Sequence, residues 1–239
     1  MSKTPLPAVQ NPLVHWALEA VRDALAVLFP VECGGCGSAD RSLCARCRLL
    51  LEPTVQIRQT PAGLDVHTAL LYSREIRHGI LALKEQGRTD IARYFVSPLG
   101  AAIVSALATP GIAGGPRDGR PIEIVTVPGS VAAWRRRGYD PVSLICGRRL
   151  ARSRRVLRFT GTTASQKTLG IQGRAENVRG AITARRDLSG RFFILVDDVL
   201  TTGATLDEAA RAVTAGGGVV VAAAALAFTP RLFASFPTP

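Results

Sequence analysis

The segment FFILVDDVLTTGATLDEA, residues 192–209, decides the fold and points to its working edge. Its apolar opening, Phe192 to Val196, has the composition of a strand buried on both faces of a parallel sheet. Two adjacent carboxylates, Asp197 and Asp198, then interrupt it. A parallel strand delivers its C-terminal residues to the ligand-binding edge of the sheet, and alternation sends neighbouring side chains to opposite sides. Two acids there are costly unless a ligand or water serves them. An N-capped helix after an edge strand is the bland alternative. Beyond Leu200 the chain carries little side chain: Thr201, Thr202, Gly203, Ala204 and Thr205. Gly203 permits unusual φ and lets a phosphate reach the backbone. The small neighbours leave successive N–H groups uncovered, as in an anion-binding nest. Thr205 with Glu208 fits a capping box, which predicts a helix beginning there and adding its positive dipole end. Acceptors for sugar hydroxyls or a magnesium ion thus lie close in sequence to donors for a sugar phosphate.

Outward from this segment, IEIVTVP (122–128) and VVVAAAALAF (219–228) are further apolar strands. DVHTALLYS (65–73), VLRFT (156–160) and ITA (182–184) read as shorter ones. Helical patterns fall at 74–87, at 90–108, from Asp140 as N-cap to about Ala151, and at 205–218, where Gly216 to Gly218 close the helix. GIAGGPRDGRP (111–121) is an exposed loop, and 162–177 is polar with no periodicity. Strand–helix alternation from 122 to 228 predicts an α/β fold with a doubly wound parallel sheet. Residues 13–29 form an amphipathic helix ended by Pro30 and packed on its own protein. The expected organisation is an N-terminal helix within 1–30, a cysteine module at 31–53, a short linker with Pro53 and Pro61, and a main domain at 64–230.

CGGCGSADRSLCARC holds four of the five cysteines, Cys33, Cys36, Cys44 and Cys47, as two CxxC pairs. Two intervening residues let both thiolates of a pair turn onto one ion, and two such knuckles complete the four-sulfur shell of a structural zinc site. The glycines around Cys36 suit a tight knuckle. Disulfides and an iron–sulfur cluster are the rival readings; the first needs an export route that the N-terminus does not suggest. A closed shell has no open position, so this ion stabilises and does not catalyse. Cys146 lies alone in a helix pattern as a small buried hydrophobe. His15, His67 and His78 are isolated in sequence and are assigned no role.

The chain of 239 residues is 47% apolar and carries a net charge of +12, nearly all of it arginine, since lysine occurs only at Lys3, Lys84 and Lys167. That balance favours polyanionic partners, and arginine grips phosphate bidentately; a codon-composition effect accounts for the same excess. Only 5% of residues are aromatic, which counts against unspecific single-strand binding by stacking. No apolar run matches a bilayer span. Pro5, Pro7 and Pro12 lead the N-terminus, and Glu19, Arg22 and Asp23 interrupt its apolar part, so a cytoplasmic setting is expected. GxxxxGK[ST], GxGxxG and HExxH are absent, which argues against P-loop, dinucleotide and zincin chemistry.

ILVDDVLTTGAT resembles the phosphoribosyl pyrophosphate (PRPP) signature of type I phosphoribosyltransferases. With the four-cysteine knuckle before it, the chain resembles the ComF family, including its GntX-like members, from about Leu28 to Ala210. Lys84, Gly87, Pro128, Arg137, Gly138, Tyr139, Gln166, Leu169, Arg174 and Asn177 match the family's further segments. Gly129, Asp140, Pro141, Gly170 and Gly173 depart from them, all on the pyrophosphate side or in the loop at 162–177.

The resemblance implies a type I phosphoribosyltransferase fold with a flexible hood, preceded by a zinc-ribbon-like module. It implies that the amides of 201–205 hold the 5′-phosphate, helped by the hydroxyls of Thr201, Thr202 and Thr205. Asp197 and Asp198 hold the ribose hydroxyls near a magnesium ion. The turn Pro128, Gly129, Ser130 meets pyrophosphate, with Arg135 or Arg137 neutralising charge. Lys167 and Arg174 reach it from the hood at 162–177. The activity implied is magnesium-dependent phosphoribosyl transfer to a nucleobase-like acceptor, in nucleotide salvage or in DNA uptake and competence. A PRPP- or nucleotide-sensing protein without catalysis, and a protein that handles single-stranded DNA, are the alternatives.

Overall fold

The computed structural model describes residues 31–39, 41–109, 120–150, 156–160 and 179–230. The helix expected within 1–30 and the hood with Lys167 and Arg174 lie outside them. In chain order the elements are α1 (Ala45–Leu49), β1 (Gln56–Gln59), β2 (Asp65–Leu71), α2 (Arg74–Glu85), α3 (Ala92–Leu107), β3 (Ile122–Thr126), α4 (Val131–Arg137), α5 (Pro141–Leu150), β4 (Leu157–Phe159), β5 (Ile182–Ala184), β6 (Phe192–Leu200), α6 (Ala204–Ala215) and β7 (Val219–Phe228).

The main sheet runs β1-β2-β7-β6-β3. β2, β7, β6 and β3 are parallel, and β1 adds an antiparallel edge. β6 lies inside this sheet because both of its faces are apolar: Phe193, Ile194, Leu195 and Val196 are fully buried. Each such side chain contributes roughly 1.5–3 kcal/mol on burial. β7 is just as buried but built largely of alanine, so helices on both sides approach it closely. One face is covered by α2, α3 and α5 together with Cys33, Leu43, Cys47 and Leu51; α6 and the β4–β5 pair cover the other.

The sequence expectations meet three differences. Residues 54–63, read as a linker, contain β1, because Gln56 to Gln59 complete the ladder along β2. β4 and β5 leave the main sheet and form their own antiparallel pair, Leu157 opposite Ala184 and Phe159 opposite Ile182. The helix expected from residue 90 begins as a 3-10 turn, Thr89–Ile91, before α3. By length and composition Thr89–Leu107 is apolar enough to span a membrane, yet Ile91, Phe95, Leu99 and Ile103 are buried within the chain's own core. It is a core helix. His67 sits beneath it, with Nδ1 at 2.9 Å from the Ser105 hydroxyl and Nε2 at 3.1 Å from that of Thr109. Cys146 is buried as expected, and that burial pushes its thiol up to about 12.

Candidate active site

Strand alternation decides where the two acids point. Ile194 and Val196 face the core under α2, α3 and α5, and Phe193 and Leu195 face the core under α6. Asp198 therefore continues the first face and Asp197 the second. On the first face Asp198 is 9% exposed and forms an ion pair through Oδ2 with Nζ of Lys84, from the last turn of α2. Burial pulls the Lys84 ammonium down, but Asp198 and then Asp197 more than offset it, and its pKa is raised. Asp197 keeps part of its surface open to solvent. Its Oδ1 accepts a hydrogen bond from the Asp198 amide at 2.8 Å. Burial first, and the neighbouring Asp198 charge second, push its carboxyl up to about 7. A carboxyl held this way gains from a cation placed beside it, so the pair suits a divalent metal.

After β6 the chain turns through Gly203, which has φ 81° and caps α6 from the left-handed region. Gly203 is the one buried residue of the turn; Thr201 and Thr205 are exposed, and Thr202 and Ala204 are half-buried. A Cβ on Gly203 would lie 2.9 Å from Cβ and Cγ2 of Thr60, so a tight turn at Thr60–Leu64 backs the loop. The Ala62 amide donates to Asp207 Oδ2 at 3.3 Å and ties that turn to the first turn of α6. Among the described residues, the amides of Thr201, Thr202, Gly203 and Thr205 have no hydrogen-bond acceptor, and that of Ala204 reaches only the Thr202 hydroxyl at 3.3 Å. The loop thus presents open N–H groups at a helix N-terminus. The capping box does not form. The helix begins at Ala204, and Glu208 is turned away to the Ile182 amide at 3.0 Å and to Arg211 at 2.7 Å.

The segment after β3 lies beside the acids, since the Val127 amide donates to the Val196 carbonyl at 2.9 Å. Ser130 caps α4, accepting from the Ala133 amide at 3.2 Å. Arg137 does not stand over open space. Its NH1 donates to the Lys84 carbonyl at 3.4 Å and lies 3.5 Å from Glu85, while its Nε is buried without a partner. Arg136 pairs with Glu85 at 2.8 Å, and the Tyr139 hydroxyl donates to the Leu83 carbonyl. Three consecutive residues of α2, ending one past Lys84, are therefore gripped by the RRRGY segment. Arg135 stays exposed. Asp140 caps α5, accepting from the Ser143 amide at 2.7 Å, as its place before Pro141 predicts. Pro128, Gly129, Trp134, Asp140, Phe159 and Arg185 line a cleft of about 290 Å³, and Asp140 also acts electrostatically on Asp197. A wider groove of about 660 Å³ continues past Arg185 along β5 to Arg186 and Arg211.

The sequence alone assigns Lys84 no role, although Lys84 and Gly87 are among the residues on which the resemblance rests. Only the fold shows that this lysine reaches Asp198.

At the far end of α2 the four cysteines converge, with all four sulfurs within 4.8 Å of one another. Cys36 Sγ lies 3.7 Å from Cys44 Sγ, and no cysteine is disulfide-bonded. Zinc–sulfur bonds of 2.3 Å in a tetrahedron place sulfurs about 3.8 Å apart, so the donor set fits zinc. The Cys44 amide points at Cys33 Sγ at 3.4 Å, and the knuckle turn closes from Gly37 N–H to the Cys33 carbonyl at 2.9 Å.

Residues 144–232 match the phosphoribosyl transferase domain. Over 209 residues the chain is 28% identical to the DNA utilization protein YhgH of Escherichia coli strain K12, covering 83% of this chain and 85% of the relative. The protein of the same name from Shigella flexneri is 27% identical with the same coverage. The strand-end acids with their small-residue turn lie inside the matched domain, and the cysteine cluster lies before it. The chain thus carries a match to the phosphoribosyl transferase domain, preceded by a four-cysteine cluster, and over most of its length it is similar to the DNA utilization proteins named above.

Proposed function

We propose that this chain binds magnesium–PRPP at the C-terminal edge of β6 and transfers the phosphoribosyl group to a nucleobase-like acceptor. The loop after β6 carries the reading, with open amides at a helix N-terminus directly after two acids. In this reading the amides of 201–205 and the hydroxyls of Thr201, Thr202 and Thr205 receive the 5′-phosphate. Asp197 and Asp198 accept from the ribose hydroxyls, and Lys84 pairs with Asp198. A magnesium ion beside them supplies charge neutralisation for the pyrophosphate. Pro128 to Ser130 offer backbone to that group, and Lys167 and Arg174 offer charge from the hood. The bond from ribose C1 to the pyrophosphate oxygen breaks, its electron pair leaving with pyrophosphate. The acceptor nitrogen bonds to C1 and sheds its proton. The residues position and neutralise; none needs to form a covalent bond. A cytoplasmic setting, where thiols stay reduced, suits the cysteine centre.

Calorimetric titration with magnesium–PRPP tests the binding, and a pyrophosphate-release screen across nucleobases tests the transfer. Binding abolished by Asp197→Asn with Asp198→Asn, in a folded protein, supports the assignment. Absence of binding by the unaltered chain overturns it. Binding without pyrophosphate release leaves a PRPP-sensing domain.

The two clefts favour a second reading. Arg158, Arg185 and Arg186 are exposed along them, beside Trp134, which is 49% exposed, and Phe159. A basic path with stacking platforms suits single-stranded DNA, and the relatives named above are called DNA utilization proteins. A steep fall of oligonucleotide affinity with salt, flattened in Arg185→Glu with Arg186→Glu, is the outcome this reading expects.

A further inference from the structure

We propose that the cysteine centre is a positioning element for the PRPP site, with His78 as the residue that fastens α2 and so sets Lys84 against Asp198. The inference rests on the PRPP reading above.

The contacts run without a gap. Gly35, between the first two cysteines, sits so tightly on Cys47 that an added Cβ would lie 2.8 Å from its Sγ. The carbonyl of Gly35 accepts a hydrogen bond from Nδ1 of His78 at 3.1 Å, in the second turn of α2. The same Cβ position lies 3.5 Å from the Glu75 carbonyl, so the knuckle also rests on the first turn of that helix. A second strut runs through Arg88. Its NH1 donates to the Glu32 carbonyl at 3.0 Å, its amide donates to the Ala82 carbonyl at 3.1 Å, and Asp90 holds its guanidinium by two bonds of 3.0 Å. Cys33 and Cys47 belong to the same buried cluster as Ile76, Ile80 and Leu83.

Lys84 follows Leu83 directly. From His78 it is six residues, about 9 Å along a helix axis, and close-packed interiors transmit displacement over such distances. At the other end the Tyr139 and Arg137 contacts hold the helix by its carbonyls. Those bonds limit translation at the last turn, which Arg88 also ties to Glu32 beside the first cysteine, while His78 fixes the half of the helix next to the metal centre. A knuckle without its metal loses the constraint on Gly35, and with it the anchor of His78. The ammonium that partners Asp198 is then no longer held in place.

The experiment uses the full chain. His78→Ala is compared with His78→Asn, whose side-chain nitrogen takes the place of Nδ1, each alone and in a Lys84→Met background. Metal content and magnesium–PRPP affinity are measured for all. His78→Ala is expected to retain one zinc ion per chain and to weaken PRPP about tenfold, the effect vanishing in the Lys84→Met background. His78→Asn is expected to restore most of the affinity. Unchanged affinity in His78→Ala, or an equal loss with and without Lys84, overturns the proposal. Hydrogen–deuterium exchange of residues 74–85 before and after chelation decides where PRPP binding is too weak to compare. Faster exchange extending to the last turn supports the coupling, and an unchanged profile overturns it. A chain that binds no PRPP but loosens α2 on chelation disproves the PRPP reading and leaves the mechanical link standing.

Discussion

Lys84, next to the last residue of α2, forms an ion pair with Asp198 at the end of β6, so the helix that rests on the cysteine centre also supplies the cation for the strand-end acids. The side chains are 27% and 12% exposed, enough burial for the pair to matter to stability. Lys84→Met leaves Asp198 without its partner, at a cost of about 1–3 kcal/mol. Adding Asp198→Asn removes the stranded charge, so the double variant is expected to recover part of the loss in urea unfolding. A double variant less stable than the sum of the singles contradicts the pairing.

The pH dependence follows from Asp197. Its folded carboxyl is raised to about 7, above its ordinary value, so the folded state binds more protons than the unfolded state between the two. Stability is therefore expected to fall as pH rises from about 4 to 7 and then to level off with respect to this group. Magnesium–PRPP affinity runs the opposite way, since the bound cation needs the carboxylate. Asp197→Asn is expected to flatten the stability profile across this window, as read by chemical unfolding at a series of pH values. A variant that keeps the slope assigns it to another group.

Gly203→Ala tests the loop itself. The substitution forces a Cβ into the left-handed region at φ 81° and against Thr60 at 2.9 Å. Strain of this kind costs on the order of 1–3 kcal/mol. The expected result is a lower melting temperature together with loss of PRPP binding. Thr60→Gly in the same chain relieves the contact but not the backbone strain, so stability returns only in part.

The apolar runs at 192 and 219 are strands whose near-continuous burial needs no helix face to explain it, and the run at 122 is the strand at the sheet edge beside β6, with only Val125 of Ile122–Thr126 buried. The acid pair and the glycine turn are legible for the same local reason. Other features are not. Thr205 and Glu208 have capping-box spacing, but Glu208 has stronger partners in Ile182 and Arg211, which the sequence places 26 and three residues away with nothing to link them. The resemblance implies Arg137 at the pyrophosphate, and nothing local in the sequence shows that the fold also brings it to the carbonyl of Lys84, 53 residues earlier. Side-chain destinations set by distant elements leave no periodic trace, and β1 is hidden because a four-residue edge strand has almost no pattern.

Gly35→Ala separates the metal centre from general packing. Gly35 has no left-handed backbone to protect, so an alanine there introduces only a methyl group, 2.8 Å from Cys47 Sγ and 3.3 Å from Cys47 Cβ. Cys47 is buried in the core beside Ile76 and Leu83 and has little room to retreat. The sulfur must shift, and a tetrahedral four-sulfur shell tolerates little displacement of one ligand. Zinc affinity is expected to fall about 10–100-fold, the usual effect of disturbing the support around a ligand. Competition with a chromogenic chelator measures it. Alanine at Gly37 serves as the control, because no atom lies within 4 Å of its Cβ position, although φ 77° there adds backbone strain. Loss of zinc at Gly35 with retention at Gly37 locates the effect in the Cys47 contact; equal loss at both assigns it to knuckle backbone and removes Gly35 from the path between the metal and α2.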